Sequence, residues 1–221
     1  MIVRDPPEFW LYGSVARGDV DRLSDIDVLV AGEFDEHDLA RLRYPKERLS
    51  IVRYDWVELE HMAAYGSLFL HHVSLEGRPI AIERSGSRLS TLLDRLPRYV
   101  RADRELASFV TVLDDVERSL ARDHSPAYEL SVIATALRHA CILGCYAIDR
   151  PSFGRASAFA VFLPHAGLGG MVEDAQRLYG FRLHEDGRAP APFDPSTEDA
   201  RFWLRRARLV VAKVARYLDA E

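Results

Sequence analysis

The chain has 221 residues, of which 48% are hydrophobic and 29% are charged, as in an ordinary globular protein. Its length allows one large domain or two small ones. The formal net charge of −5 excludes a molecule whose whole surface attracts nucleic acid, although a local basic cleft stays open. Two cysteines, Cys141 and Cys145, are too few for a disulfide framework, and we interpret them as small core residues.

The opening residues, MIVRDPPEFW, carry charge and proline where a signal peptide has its apolar segment. No stretch approaches 18 consecutive apolar residues, the length that a membrane-spanning helix needs. We therefore expect a cytoplasmic protein without a membrane segment or a membrane partner.

Short strands and helices are mixed in the N-terminal part of the sequence. The patterns predict strands at 8–13, 25–31, 48–54 and 78–83, and helices at 36–43 and 56–65, the second of which continues to Gly77. In the second strand, Asp25, Asp27 and Leu29 share one face because side chains alternate along a strand. This mixture predicts a small sheet with helices packed on it.

Helical periodicity without strand signals covers the rest of the chain. The predicted helices are 89–96, 101–122, 126–149, 168–180 and 197–220. Ser125 and Pro126 form a typical helix start, with the serine as N-cap and the proline in the first turn. We therefore predict the α+β class, with a small mixed-sheet domain at 1–88 followed by an all-α helical bundle at 89–221.

The segment LYGSVARGDVDRLSDIDVLV, residues 11–30, carries the clearest chemical signal. Asp25 and Asp27 lie two apart on a strand, which puts their Cβ atoms roughly 7 Å apart on one face. Two neighbouring carboxylates repel each other, and a divalent cation between them relieves the repulsion. Magnesium is suited to this position because it binds carboxylate, phosphate and water oxygens.

A Gly-Ser turn precedes the two aspartates. Gly13 allows a close approach of the backbone, and Ser14 offers its N–H and its hydroxyl to a phosphate group. Together, the turn and the aspartates describe a site for a complex of a metal ion with a triphosphate.

The motif GSVARG at 13–18, followed by SDIDV at 24–28, resembles the nucleotidyltransferases of the DNA polymerase beta superfamily. The segment 62–80 is similar to the helix and strand that follow the catalytic core in bacterial relatives. The segment 137–155 is similar to the helical domain of aminoglycoside nucleotidyltransferases.

This resemblance implies transfer of a nucleoside monophosphate from an NTP, with ATP the expected donor, to an acceptor hydroxyl. Asp25 and Asp27 would be catalytic and would hold Mg²⁺ on the triphosphate, and pyrophosphate would leave. The nucleotide is expected between the two domains. A small molecule, a protein side chain and an RNA end all stay open as acceptors, and a homodimer or a toxin–antitoxin partner is also open.

The same resemblance assigns nucleotide binding to the residues around the turn. Gly13, Ser14 and Ser24 would contact the nucleotide. Arg17 would either neutralise phosphate charge or anchor the turn to a carboxylate such as Asp21.

One part of the family pattern is missing. The superfamily uses a third carboxylate on a neighbouring strand, and that position falls near Ser50, which is a poor metal ligand and no base at neutral pH. Ser50 and Asp55 lie on opposite faces of the predicted strand. Either Asp55, or Glu58 beyond it, completes an active enzyme, or the protein is catalytically degenerate and binds a nucleotide or a partner.

Two further clusters have less specific interpretations. His71 and His72 are adjacent on a helix and point apart, so we interpret them as packing or solvent-facing residues. The arginines 201, 205 and 208 follow one helix face. That face is either solvated and paired with acids or a docking surface for RNA or an acidic partner.

Overall fold

The computed structural model describes residues 6–20, 22, 24–35, 38, 42, 44–80, 86–122 and 125–219. The chain divides into two compact units, Met1–Val100 and Arg101–Glu221. The division predicted from the sequence falls after residue 88, where a helix begins that packs into the core of the first unit.

Among the described residues, the first unit contains a mixed sheet of four strands in the order β3-β2-β1-β4. The strands are β1 (Glu8–Tyr12), β2 (Ile26–Ala31), β3 (Leu49–Tyr54) and β4 (Arg78–Ile80). β1 is antiparallel to β2 and β4, whereas β2 and β3 are parallel. The predicted strands are confirmed within the described residues, and residues 81–83 of the last one lie outside them. Most of the predicted helix 36–43 also lies outside them.

The helices of the first unit depart from the prediction in one place. They are α1 (Gly13–Arg17), α2 (Trp56–Ala64), α3 (Leu68–Glu76) and α4 (Arg88–Leu93), with a 3₁₀ turn at Lys46–Arg48. The predicted continuous helix from 56 to Gly77 is wrong, because Gly66 has a left-handed φ of +65°. A Cβ atom at Gly66 would lie 2.3 Å from the carbonyl oxygen of Pro97, so this break also makes a close backbone contact.

The two faces of the sheet follow the alternation of side chains along its strands. One face contributes Trp10 and Leu29 to a core that it shares with α2, α3 and α4. The opposite face buries Phe9, Val28 and Val30 in a second cluster. Asp27 lies on the same face as Leu29, at the N-terminal end of β2.

A buried carboxylate joins the first strand to α4. Glu8 is 8% exposed and accepts hydrogen bonds from the Ser87 hydroxyl at 2.5 Å, the Arg88 N–H at 2.6 Å and the Leu89 N–H at 3.2 Å. N–H groups in the first turn of a helix have no partner within the helix. Glu8 therefore accepts hydrogen bonds from N–H groups at the start of α4, although it lies about 80 residues earlier in the sequence.

The second unit consists of helices arranged around one central helix. They are α5 (Ala102–Ser119), α6 (Pro126–Ala147), α7 (Ser157–His165), α8 (Val172–Glu185) and α9 (Thr197–Leu218), with a 3₁₀ turn at Gly169–Met171. α6 contacts each of the other four helices. Ser125 caps α6 by accepting from the Tyr128 N–H, as predicted from the sequence.

Two helices of this unit differ from the prediction. α7 was not predicted, because its sequence SAFAVFLPH is apolar on all sides and contains Pro164. α8 begins at Val172 and extends to Glu185, whereas the predicted helix covers 168–180.

Among the described residues, α6 meets the length and composition of a membrane span, contrary to the expectation from the sequence. Within its apolar window, 72% is buried inside the protein. The core helix of a globular unit has the same length and composition. Cys141 and Cys145 lie on this helix as buried free thiols, in agreement with their predicted role in the core.

Candidate functional site

The two aspartates lie at the N-terminal end of β2, an interior strand of the sheet. Asp25 directly precedes β2 and Asp27 is its second residue, and both side chains are half-buried. Asp27 pairs with Tyr12 on β1 and with Ser50 on β3. Because paired residues on adjacent strands share a face of the sheet, Tyr12, Asp27 and Ser50 form a row.

The Gly-Ser turn lies directly against Asp27. Gly13 has a left-handed φ of +70°, and a Cβ atom there would lie 2.5 Å from Asp27 Oδ2. The backbone conformation therefore favours glycine, and a Cβ atom there would force the Asp27 carboxylate to move. Ser14 follows as a half-buried residue of α1. The structure thus brings the Gly13–Ser14 turn next to Asp27, which lies more than ten residues further along the sequence.

Tyr12 lies beside Asp27 and was missed by the sequence analysis. Its side chain is 8% exposed, and its ring contacts Phe69 and His72 edge-on, both at 5.4 Å between centroids. Burial, followed by the negative charge of Asp27, raises the pKa of the Tyr12 phenol far above its ordinary value. The phenol therefore remains protonated at neutral pH. Its position directly before the Gly-Ser turn is the signal that could have pointed to it.

Arg17 joins α1 to α3. Its guanidinium donates to Glu76 at 2.5 Å and to Asp19 at 3.1 Å. His72 lies one helical turn before Glu76, and its Nε2 is 2.8 Å from the same carboxylate. These contacts favour the anchoring role of Arg17 over the phosphate-binding role, although the anchor is Glu76. Asp21, the anchor suggested by the sequence, lies outside the described residues.

Glu76 is the centre of this cluster and is only 9% exposed. Burial alone would raise the pKa of the Glu76 carboxyl. The hydrogen bonds and charges of His72 and Arg17 outweigh that effect and lower the pKa below its ordinary value. Glu76 is therefore ionised at neutral pH and holds α1 in place.

Ser24 and Arg48 link the aspartate strand to β3. Ser24 is 4% exposed, so its side chain contacts protein. The Arg48 side chain, from the 3₁₀ turn before β3, donates to the Ser24 carbonyl oxygen at 2.9 Å. This contact fixes the backbone directly before Asp25. Arg48 was also missed, because a single arginine near a strand gives no recognisable pattern.

The structure does not bring Asp55 to the two aspartates. Asp55 is the N-cap of α2, where it accepts from the Glu58 N–H at 2.7 Å and donates its own N–H to the Glu58 carboxylate at 2.9 Å. β3 runs parallel to β2 and pairs with Asp27 through Ser50. Asp55 lies five residues beyond Ser50, or about 16 Å at the rise of a strand. Asp55 and Glu58 therefore cap a helix at the other end of β3.

Asp25 and Asp27 are the carboxylates that the sequence motif predicts as ligands of a cation. Within the described parts of the chain, no group of three or more His, Cys, Asp or Glu side chains is placed to hold a metal ion. Magnesium does not need such a group, because it commonly binds through one or two carboxylates together with phosphates and water. The half-buried carboxylates of Asp25 and Asp27, at the N-terminal end of β2, fit this requirement.

The arginine face of α9 is paired with acids. Arg208 donates to Asp114 at 2.6 Å and to Glu117 at 2.9 Å, both on α5. Arg205 lies 3.4 Å from Glu198 within α9. These ion pairs favour the solvated, paired interpretation of this face over a docking surface.

Residues 4–74 match the family model of the nucleotidyltransferase domain. The matched segment contains the Gly-Ser turn, both aspartates and the three strands that position them. This match confirms that residues 4–74 resemble nucleotidyltransferases, as the motifs at 13–18 and 24–28 indicate. Among curated proteins, no match to the chain was found.

Replacing Gly13 by alanine is expected to destabilise the protein more than replacing Gly18. Both glycines have left-handed φ angles, which cost an alanine about 1–2 kcal/mol. A Cβ atom at Gly18 meets nothing within 4 Å, whereas one at Gly13 pushes the Asp27 side chain away from its preferred rotamer and adds about 0.5–1.5 kcal/mol. Urea denaturation of Gly13→Ala and Gly18→Ala measures the difference, and equal losses would contradict the contact with Asp27.

Replacing Glu76 by glutamine is expected to lower the free energy of unfolding at pH 7 by about 1–3 kcal/mol, because two partly buried charge-assisted hydrogen bonds are weakened or lost. The folded-state pKa of Glu76 lies below its ordinary value of 4.5. The stabilisation is therefore present above pH 4.5 and is lost as the pH falls towards the folded-state pKa.

Chemical denaturation from pH 7 to pH 3 measures this pH dependence. Asp19→Asn is the matched control, because Asp19 is the exposed partner of the same arginine and is expected to contribute little. A difference between wild type and Glu76→Gln that stays constant down to pH 3 would argue against the ionised role of Glu76.

Proposed function

We propose that the protein is a Mg²⁺-dependent nucleotidyltransferase that moves a nucleoside monophosphate from an NTP, with ATP as the expected donor, to a hydroxyl acceptor. The contact between Gly13 and Asp27 carries this proposal. A turn that binds phosphates and a carboxylate that binds a metal must be neighbours if they are to hold one metal–triphosphate complex. The family match of residues 4–74 supports the general reaction.

Each residue of the site has a definite task in this proposal. Asp25 and Asp27 hold Mg²⁺, which when bound neutralises negative charge on the triphosphate and on the leaving pyrophosphate. Gly13 and Ser14 bind phosphate oxygens through backbone N–H groups and the serine hydroxyl. Arg17 keeps the turn in position through Glu76.

The transfer is a substitution at the α-phosphorus. The acceptor oxygen forms a bond to that phosphorus, while the bond from the phosphorus to the bridging oxygen of the β-phosphate breaks. Pyrophosphate leaves with the electron pair of that bond, and the hydroxyl proton passes to solvent. The protein's contribution is to bind and orient the triphosphate and to compensate its charge.

A second candidate function is nucleotide binding without efficient transfer. Ser50 stands beside Asp27 on β3, where a carboxylate would complete the donor set, and it supplies neither negative charge nor a base at neutral pH. Asp55 is occupied in the cap of α2. These two observations favour a site that retains its affinity for a metal–nucleotide complex but turns over slowly.

Substituting either aspartate is expected to reduce nucleotidyl transfer by about 10²-fold or more, because a group that stabilises transition-state charge is removed. The assay incubates full-length protein with α-labelled NTPs, Mg²⁺ and acceptors from each of the three classes, and it compares Asp25→Asn and Asp27→Asn with wild type. Asp55→Asn is the matched control, since its carboxylate caps a helix outside the site. Label transfer that survives Asp25→Asn/Asp27→Asn would refute this site.

Ser50→Asp separates the two candidate functions. It adds the missing carboxylate next to Asp27, so transfer is expected to rise at least tenfold if the absent carboxylate limits turnover. Ser50→Asn has a similar size without the charge and is expected to leave transfer at the wild-type level. If wild type binds ATP with Mg²⁺ but neither it nor Ser50→Asp transfers label, the lost carboxylate does not explain the inactivity.

A further inference from the structure

An open cavity of about 550 Å³ lies within the second unit, among α5, α6 and α8. Its volume is in the range of small-molecule binding sites. One helix, α6, lines the cavity with a single stripe of residues spaced three and four apart. These residues are Tyr128, Ser131, Val132, Thr135, Ala136 and His139.

The walls of the cavity are rich in aromatic rings. Phe109 of α5 stacks on His139, with 6.5 Å between centroids and 24° between the ring planes. Tyr179 of α8 adds a further ring, and the Arg138 guanidinium lies 5.8 Å from its centroid. Ring faces and edges in this arrangement favour a flat aromatic ligand over a flexible aliphatic one.

The charges around the cavity disfavour a cation. Partial withdrawal of the ring from water, followed by the positive charges of Arg138 and Arg182, lowers the pKa of His139, although part of its side chain is exposed. The imidazole is therefore neutral at pH 7, and a positively charged ligand would meet the same repulsion. Arg182 also pairs with Asp186 at 2.9 Å, and Glu185 lines the same cavity, so the preference for an anion should be moderate.

We propose that this cavity binds a small planar aromatic carboxylate, with its ring against Phe109 and His139 and its negative charge towards Arg182. The lining residues all belong to the second unit. The proposal therefore stands or falls independently of nucleotidyl transfer in the first unit.

Calorimetric titration of the full-length protein with two indole probes tests this proposal. Both probes contain the same indole ring. The side chain carries one negative charge in indole-3-acetate and one positive charge in tryptamine. We expect saturable binding of indole-3-acetate with a Kd at least fivefold lower than that of tryptamine, together with a shift of the His139 ring signals in NMR spectra. Arg182→Gln is expected to reduce this preference below twofold. Equal affinities for the two probes in wild type, or no saturable binding of indole-3-acetate, would overturn the proposal.

A pair of substitutions on α5 tests the location. Ser108 is an exposed residue that lines the cavity, and Ser108→Trp is expected to weaken binding of indole-3-acetate at least tenfold by filling it. Ala107 is its exposed neighbour outside the lining, so Ala107→Trp should bind like wild type. Both positions are on the surface, and therefore both variants should fold. Equal binding by the two variants would show that the probe binds elsewhere.

Discussion

The close approach of the Gly13 backbone to the Asp27 carboxylate is the constraint on which the first unit depends. It places a glycine in a left-handed conformation directly after the strand that pairs with Asp27, where a Cβ atom would displace the carboxylate. It also requires that α1 be held against the sheet, which the buried Glu76 achieves by binding Arg17. The proposed binding site and the fold therefore depend on one contact, because a shift of the turn would move both the groups proposed to bind phosphate and the Asp27 carboxylate.

The features that the sequence could predict are those with a rigid local period. Alternation along β2 is sufficient to put Asp25 and Asp27 on one face, and the Gly-Ser pattern is compact enough to recognise without a fold. The break between α2 and α3 is different, because Gly66 is fixed by the carbonyl of Pro97, which is remote in sequence. The partner of Arg17 was unpredictable for the same reason, since Glu76 lies 59 residues further along the chain.

The position of Asp55 shows that residue type alone does not determine whether a carboxylate binds a metal or caps a helix. A carboxylate near the end of β3 satisfies the chemistry of a metal site, but the same residue with Glu58 three positions later is also the pattern of a capping box. The parallel register of β2 and β3 decides between these roles, because it pairs Asp27 with Ser50 and leaves Asp55 at the opposite end. The role of Asp55 could not be decided from the sequence, because the pairing of β2 with β3 depends on contacts between segments that are distant in the chain.

The hydrogen bonds of Glu8 have a consequence for the size of the folding module. The family-matched segment ends at residue 74, yet three groups that donate to this buried carboxylate lie at 87–89. A fragment cut at the family boundary would remove the donors at 87–89 and leave Glu8 with the Trp10 Nε1 donor at 3.3 Å, and the loss of hydrogen bonds to a buried carboxylate destabilises a protein. The autonomous module is therefore longer than the recognisable domain. A transplant or fusion that respects the structure would carry the chain through α4 to Val100.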